Sequence, residues 1–344
     1  MKALLGFDGF VDKLAKVIEK RDKNGEHAYA SIPDFAVRIA DAAGISCDLE
    51  LRTISVLPGG NAPNMAKGLG ALGVDTTLIA AIGEESLHPA FTRWEKYCKM
   101  IPVGEPSDTL ALEFGDGKVM MADLSPFEGL TWKHIIETVG MAKLLELADE
   151  CDMYALTCYS LLPHAAEIYD GFRRDVLEKL PHRSKKPLIF FDLADVSKHS
   201  AAMLQHCAEV LRAYRPYGET VLGMNVNETN CMTRAFGISD ACTVQERLAA
   251  LYQTGIADVL LSHPRDRCYV ADTHGVREIM GVLVESPRIS TGGGDHLNAG
   301  FCAAKLQGFS NDEAAVSAMK VSRCFVETGA ISAENIRKYE IFKR

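Results

Sequence analysis

Between residues 134 and 262 the chain alternates helix-period and strand-period segments almost without interruption. Helical spacing over 134–149 leads to an apolar run at 153–157, and 165–180 leads to 187–191. The rhythm repeats with 200–213 before 220–224, and with 243–254, stopped by Gly255, before 258–262. Short strands separated by helix-length connections cannot form hairpins with one another. They pair in parallel, because a helical crossover is what a parallel pair requires. The pattern therefore predicts a parallel sheet with helices on both faces.

The N-terminal third follows the same plan more loosely, with strand-like runs at 3–7, 53–57 and 76–82 and a helix over 32–43. Residues 13–48 are otherwise mixed, with an exposed turn at 20–25. Two hairpin signals break the alternation. One is 110–114 and 118–122 around Gly115-Asp116-Gly117, read as part of a small sheet outside the main one. The other is 268–272 and 276–283 around Thr273-His274-Gly275. An alanine-rich helix over 312–327 ends the pattern. A chain of 344 residues, 47% apolar and 24% charged, fits one large α/β domain with a small appendage.

In an open parallel sheet, ligands collect at the carboxyl ends of the strands. Polar residues stand at several such ends: Asp8 and Asp12, Asn64, Asp192 with Asp195, and Asn225 with Glu228. The i, i+3 spacing of Asn225 and Glu228 suits a capping box at a helix start. It equally suits amide and carboxylate oxygens around a water-rich Mg²⁺. Two glycine turns feed helices. Gly59-Gly60 precedes Asn64 and a helical face at Met65, Leu69 and Leu72. Gly292-Gly293-Gly294-Asp295 precedes Leu297, Phe301 and Ala304. Free N–H groups at the second turn would form an anion site beside a carboxylate. Phosphoryl transfer needs both an anion site and a base. The plain alternative is a loop with an Asp N-cap.

A net charge of −9 with no basic run argues against nucleic acid or an anionic membrane as partner. The ten cysteines are dispersed without a Cys-x-x-Cys pair, which points to a reducing, cytoplasmic setting and away from structural zinc. No signal peptide and no membrane-length apolar run is read in the sequence. The P-loop, Rossmann, Gly-x-Ser-x-Gly and His-Glu-x-x-His patterns are all missing.

Gly59-Gly60-Asn61-Ala62-Pro63-Asn64 with Leu69-Gly70-Ala71-Leu72-Gly73 resembles the N-terminal signature of the ribokinase/PfkB family of sugar and nucleoside kinases. Gly292-Gly293-Gly294-Asp295 with Ala299-Gly300 resembles its C-terminal signature, and Asn225-x-x-Glu228 its Asn-x-x-Glu motif. The motifs stand in family order and span nearly the whole chain. The resemblance implies a ribokinase-like three-layer αβα fold over residues 1–344, a single kinase domain with a mostly parallel central sheet. It also implies a small β-sheet lid, drawn from segments within 26–58 and 107–124. The implied activity is ATP- and Mg²⁺-dependent transfer of the γ-phosphate to a hydroxyl of a small sugar-like substrate. By resemblance Asp295 is the general base, and Gly292, Gly293 and Gly294 are the anion hole. Asp12, Gly59, Gly60 and Asn64 resemble sugar contacts. Asn225, Ser262, Gly294 and Gly329 resemble nucleotide contacts, and Asn225 with Glu228 the metal-organising pair. A homodimer through the lid is a further implication.

The sequence departs from the family pattern in places. Ile289 stands where relatives carry an acidic residue that helps hold potassium, which argues against monovalent-cation activation. Pro264 and Arg267 replace both glycines of the usual nucleotide loop. Arg265 or Arg267 could supply the phosphates with charge instead, or both could be solvated. Phosphorylation of a nucleoside, or sugar binding without catalysis, are the alternatives to a sugar kinase.

Overall fold

The computed structural model describes residues 1–181, 185–289 and 291–343. Its main sheet has nine strands. They run in the order Gly275–Met280, Arg267–Asp272, Val259–Ser262, Glu219–Met224, Leu188–Asp192, Met153–Leu156, Lys2–Gly6, Asp75–Ala80 and Lys99–Pro102. Every pairing from Val259–Ser262 to Lys99–Pro102 is parallel. Only the hairpin Arg267–Asp272/Gly275–Met280 adds antiparallel strands, at one edge.

Strand periodicity divides the core into two layers. Leu4, Ile79, Tyr154, Ile189, Phe191, Leu222 and Leu260 face one cluster. Their neighbours Leu5, Leu78, Ala155, Phe190, Val221 and Leu261 face the other. Helices Asn61–Ala71, Gly293–Leu306 and Asn311–Thr328 cover the second face. Those between Trp132 and Gln253 contribute Ile135, Leu144, Ile168, Leu204, Met232 and Leu248 to the first. The result is the three-layer αβα fold that the alternation and the family resemblance predicted.

A separate five-stranded sheet is built from Gly25–Ala28, Phe10–Asp22, Ser107–Glu113, Lys118–Asp123 and Glu50–Gly59. Its centre is the long strand Phe10–Asp22, which the mixed pattern of 13–48 concealed. That strand pairs antiparallel with Glu50–Gly59 and parallel with Ser107–Glu113. Helix Ile32–Ala40 packs on the sheet through Phe35, against Ala15, Val17, Leu112 and Phe114.

Two helices expected as continuous are broken. Gly140, at φ 85°, divides 134–149 into Trp132–Val139 and Met141–Asp149. The segment 165–180 begins as α-helix and passes through one π turn into a 3-10 turn. Strand Lys99–Pro102 and helix Ala333–Lys338 were not expected from the sequence.

Candidate active site

Asp8 was a site candidate by position, and the structure gives it a different task. It is fully buried and accepts from the Asn61 N–H (2.6 Å), the Ala62 N–H (3.0 Å) and the Thr157 hydroxyl (2.9 Å). It thus caps helix Asn61–Ala71 from a neighbouring strand end, where Gly60 supplies no side-chain cap. Gly60 has φ 102°, and a Cβ there would lie 2.7 Å from Asp8 Oδ2. A Cβ at Gly59 would overlap the half-buried Asp12 carboxylate. The glycine pair therefore lets the main chain pass between two acids.

The capped helix carries two amides to the same point. Asn64 Nδ2 donates to Asp295 Oδ2 (2.9 Å). Asn61 Nδ2 donates both to Asp295 Oδ1 (3.2 Å) and to Asp192 Oδ1 (2.9 Å). Asn298 Nδ2 holds the other Asp192 oxygen at 2.9 Å. Asn61 and Asn298 were not singled out from the sequence. Asn61 was visible inside the glycine-turn motif, but nothing in its spacing shows that it bridges two carboxylates. Burial, followed by the charge of Asp192, pushes the Asp295 carboxyl well above its usual range, against the two amides. Asp192 is also raised, chiefly by burial.

Asp295 lies in the first turn of helix Gly293–Leu306, whose N-terminal residue Gly292 is left-handed at φ 84°. The turn's carbonyls are tied back into the protein. Ser322 Oγ donates to Gly293 O (3.0 Å), and His296 Nδ1 lies 2.8 Å from Gly292 O. A carbonyl only accepts, so Nδ1 carries the proton. Burial and the nearby Lys67 charge push His296 down to about 3, which keeps the ring neutral. It stacks on Phe325 with centroids 3.5 Å apart. Other helices carry capping side chains, such as Ser200, Asn225, Thr243 and Ser310. This one has none among the described residues, so its first N–H groups are left for an external acceptor.

Those N–H groups face a cavity of about 390 Å³, lined by Gly292, Gly293, Gly294, Asp295, Asn61, Asp192, Asn225 and Glu228. His263, Pro264, Arg265, Val282 and Leu283 close another side, with Met319, Ser322, Arg323 and Val326 from helix Asn311–Thr328. Asp12, Gly59, Gly60 and Asn64 are not among its lining residues. Asp12 and Gly59 belong to the small sheet, and Asn64 reaches Asp295 from helix Asn61–Ala71. Ser262 and Gly329 are also absent from the lining. The Ser262 hydroxyl is buried against Thr229 Oγ1 at 2.8 Å, and Gly329, at φ 79°, ends helix Asn311–Thr328. Both were implied as nucleotide contacts by the family resemblance, and these contacts are the ones they make within the fold. Ser290, within the glycine stretch, lies outside the described residues.

Asn225 and Glu228 do form a capping box. The Glu228 N–H bonds Asn225 Oδ1 (2.9 Å), and Glu228 Oε2 accepts from the Asn225 N–H (2.9 Å). Yet Glu228 also lines the cavity. Burial, then the charge of Asp192, raises its carboxyl, with further contributions from Asp295 and Asp195. A cation would relieve this crowding of acids. Among the described residues no three His, Cys, Asp or Glu side chains converge tightly enough to hold a metal ion directly. The arrangement fits Mg²⁺, which keeps most of its waters, better than a fully protein-ligated ion.

The fold and its site define a ribokinase-like kinase. A ribokinase of Arabidopsis thaliana complexed with ribose and ATP superposes with a TM-score of 0.65 at 13% identity, over 100% of this chain and 99% of that one. An E. coli protein assigned as ribokinase II, in complex with ATP and Mg²⁺, gives 0.65 at 13% identity over 99% and 98%. At these identities the likeness is one of fold. The chain itself belongs to the prokaryotic ketohexokinase family, which matches residues 1–340. A curated ketohexokinase of Haloferax volcanii is 25% identical over 334 residues, covering 96% of this chain and 88% of that protein. The protein is therefore a carbohydrate kinase of the PfkB type, a phosphotransferase acting on a sugar hydroxyl. No helix among the described residues is long and apolar enough to cross a membrane.

Proposed function

We propose that the protein transfers the γ-phosphate of ATP to a hydroxyl of a ketohexose, with Asp295 as general base. The observation that carries this reading is a carboxylate held by the Asn61 and Asn64 amides in the first turn of helix Gly293–Leu306, beside a cavity of nucleotide-accepting size. The sugar enters from the small-sheet side and meets Asp12, Gly59, Gly60 and Asn64. Asp295 takes the proton of the attacking hydroxyl. The new O–P bond forms as the bond to the ADP oxygen breaks. The N–H groups of Gly292, Gly293 and Gly294 face the charge on the moving phosphoryl group. Asn225 and Glu228 would hold Mg²⁺ through waters; when bound, the ion neutralises phosphate charge. The ketohexokinase family favours a sugar over a nucleoside as acceptor.

The small sheet acts as a lid in this reading, because strands Phe10–Asp22 and Glu50–Gly59 both lead into the site. Leu51, Ile54, Val56, Met120 and Met121 are exposed on it, which supports a homodimer through the lids. Light scattering giving a monomer at micromolar concentration would count against the dimer.

The central test is ADP release with ketohexoses, aldohexoses, pentoses and nucleosides, with and without EDTA. Ketohexose-dependent, EDTA-sensitive release is expected. Release only with a nucleoside would overturn the acceptor, and undiminished release in excess EDTA would overturn the metal requirement.

A further inference from the structure

The loop after strand Val259–Ser262 carries two arginines, and the structure treats them differently. Arg267 is paired with Asp266 at 2.7 Å and with Glu278 of the adjoining strand at 2.5 Å. Its guanidinium is fixed and its charge matched. Arg265 is exposed, lines the cavity, and is held by no carboxylate among the described residues. Arg323, the other arginine on the wall, pairs with Glu327 at 2.9 Å and lies against the Tyr339 ring. His263 is enclosed and pushed down to about 4, so it is neutral at pH 7.

The charge balance of the cavity is therefore lopsided. Asp192, Glu228 and Asp295 contribute carboxyls, while Arg265 is the one cationic side chain without a partner among the described lining residues. A nucleotide polyphosphate cannot enter such a space without positive partners. Pro264 removes a backbone N–H from the same loop, so main-chain donors there are fewer. Position along the loop narrows the role. His263 Cε1 lies 3.4 Å from where a Gly294 Cβ would sit, so residue 263 borders the turn that takes the moving phosphoryl. Arg265 stands two residues further on, about 7 Å along the backbone.

We propose that Arg265 binds the non-transferred phosphates of the nucleotide, in place of the main-chain donor that Pro264 does not offer. The proposal rests on ATP being the donor. A guanidinium forks onto phosphate oxygens with two parallel hydrogen bonds, which an ammonium cannot do.

The test compares wild type with R265A, R265K and R267A, varying ATP at saturating sugar and titrating ADP as inhibitor. R265A raises KM for ATP and the inhibition constant of ADP together, by about tenfold, as expected for one lost charge-assisted contact near solvent. Its kcat and its KM for sugar stay within about threefold, since the contact is made equally before and during transfer. R265K recovers part of the loss. R267A lowers the thermal midpoint but leaves KM for ATP unchanged. If R265A leaves both ATP and ADP constants unchanged in an enzyme that turns over ATP, the proposal fails. If KM for ATP rises while ADP inhibition does not, the contact is with the transferred phosphate and the assignment is wrong. A wild-type enzyme inactive with ATP would instead remove the donor, and both readings with it.

Discussion

Replacing Asn61 tests the arrangement around Asp295 most directly. The Asn61 amide is shared between Asp295 Oδ1 (3.2 Å) and Asp192 Oδ1 (2.9 Å). Asn61→Ala removes a donor from two enclosed carboxylates at once. Hydrogen bonds to charged groups contribute about 1.5–3 kcal/mol each. Asn61 borders the cavity, so water can partly replace the amide, and the lower figure applies. The expected loss of stability is thus about 3 kcal/mol. With an unfolding entropy near 2.1 cal/mol/K per residue, this lowers Tm by about 4 °C. Catalysis suffers separately. Asp295 keeps Asn64 but can swing about it, and misplacement of a reacting group by about 1 Å costs on the order of 10²-fold. Stopped-time ADP assays at saturating sugar and ATP should show kcat down by about 10–10²-fold, with smaller changes in either KM. Asn61→Asp is the control. It keeps the shape but inserts a third carboxylate between two others, so it must be worse than Ala in both Tm and kcat. If Asp is tolerated better than Ala, the amide does not bridge two charged carboxylates and the reasoning is wrong.

Asp295→Asn should lower kcat by about 10²–10⁴-fold while sugar and nucleotide still shift the thermal midpoint; near-normal turnover would remove Asp295 as the base. Gly60→Ala combines a strained φ with a Cβ 2.7 Å from Asp8 Oδ2, and should destabilise by at least about 2 kcal/mol in urea titration. An unchanged midpoint would show that the turn relaxes freely. Asp272 offers a pH test away from the site. Burial works against its charge, but Arg277 (2.7 Å), Asn311 and the His274 N–H hold its carboxyl well below the usual range. A depressed folded value means the stabilisation is present above the unfolded value, near 4, and fades as pH falls below it. Asp272→Asn should therefore lower Tm at pH 7, with the gap to wild type closing below about pH 4. A gap that widens with acid would refute the assignment.

Much of the architecture was legible because periodicity is local. Alternation of apolar runs and helical faces through 134–262 needs no long-range information to predict parallel strands. The glycine turns were legible too, since consecutive glycines signal backbone freedom wherever they stand. The strand Phe10–Asp22 was not. Its exposed outer end reads Glu19-Lys20-Arg21-Asp22, and residues 10–18 are held by pairing with segments about forty and about a hundred residues away. The capping role of Asp8 was equally hidden, because its partners Asn61 and Ala62 lie 53 and 54 residues along the chain.

The opposite fates of Arg265 and Arg267 depend on which of them meets Glu278 across a hairpin, and no spacing rule states that. The sequence by itself determined the strand–helix alternation through 134–262, the places where the backbone must be glycine, and a carboxylate following a glycine turn. Those follow from chain stereochemistry and burial pattern, which act over a few residues. Only the tertiary structure decided which polar residues serve the site and which serve the fold. Hydrogen-bond partners are assigned by proximity in space, and the same Asp, Asn or Arg becomes a cap, a bridge or a free charge according to what folding brings beside it.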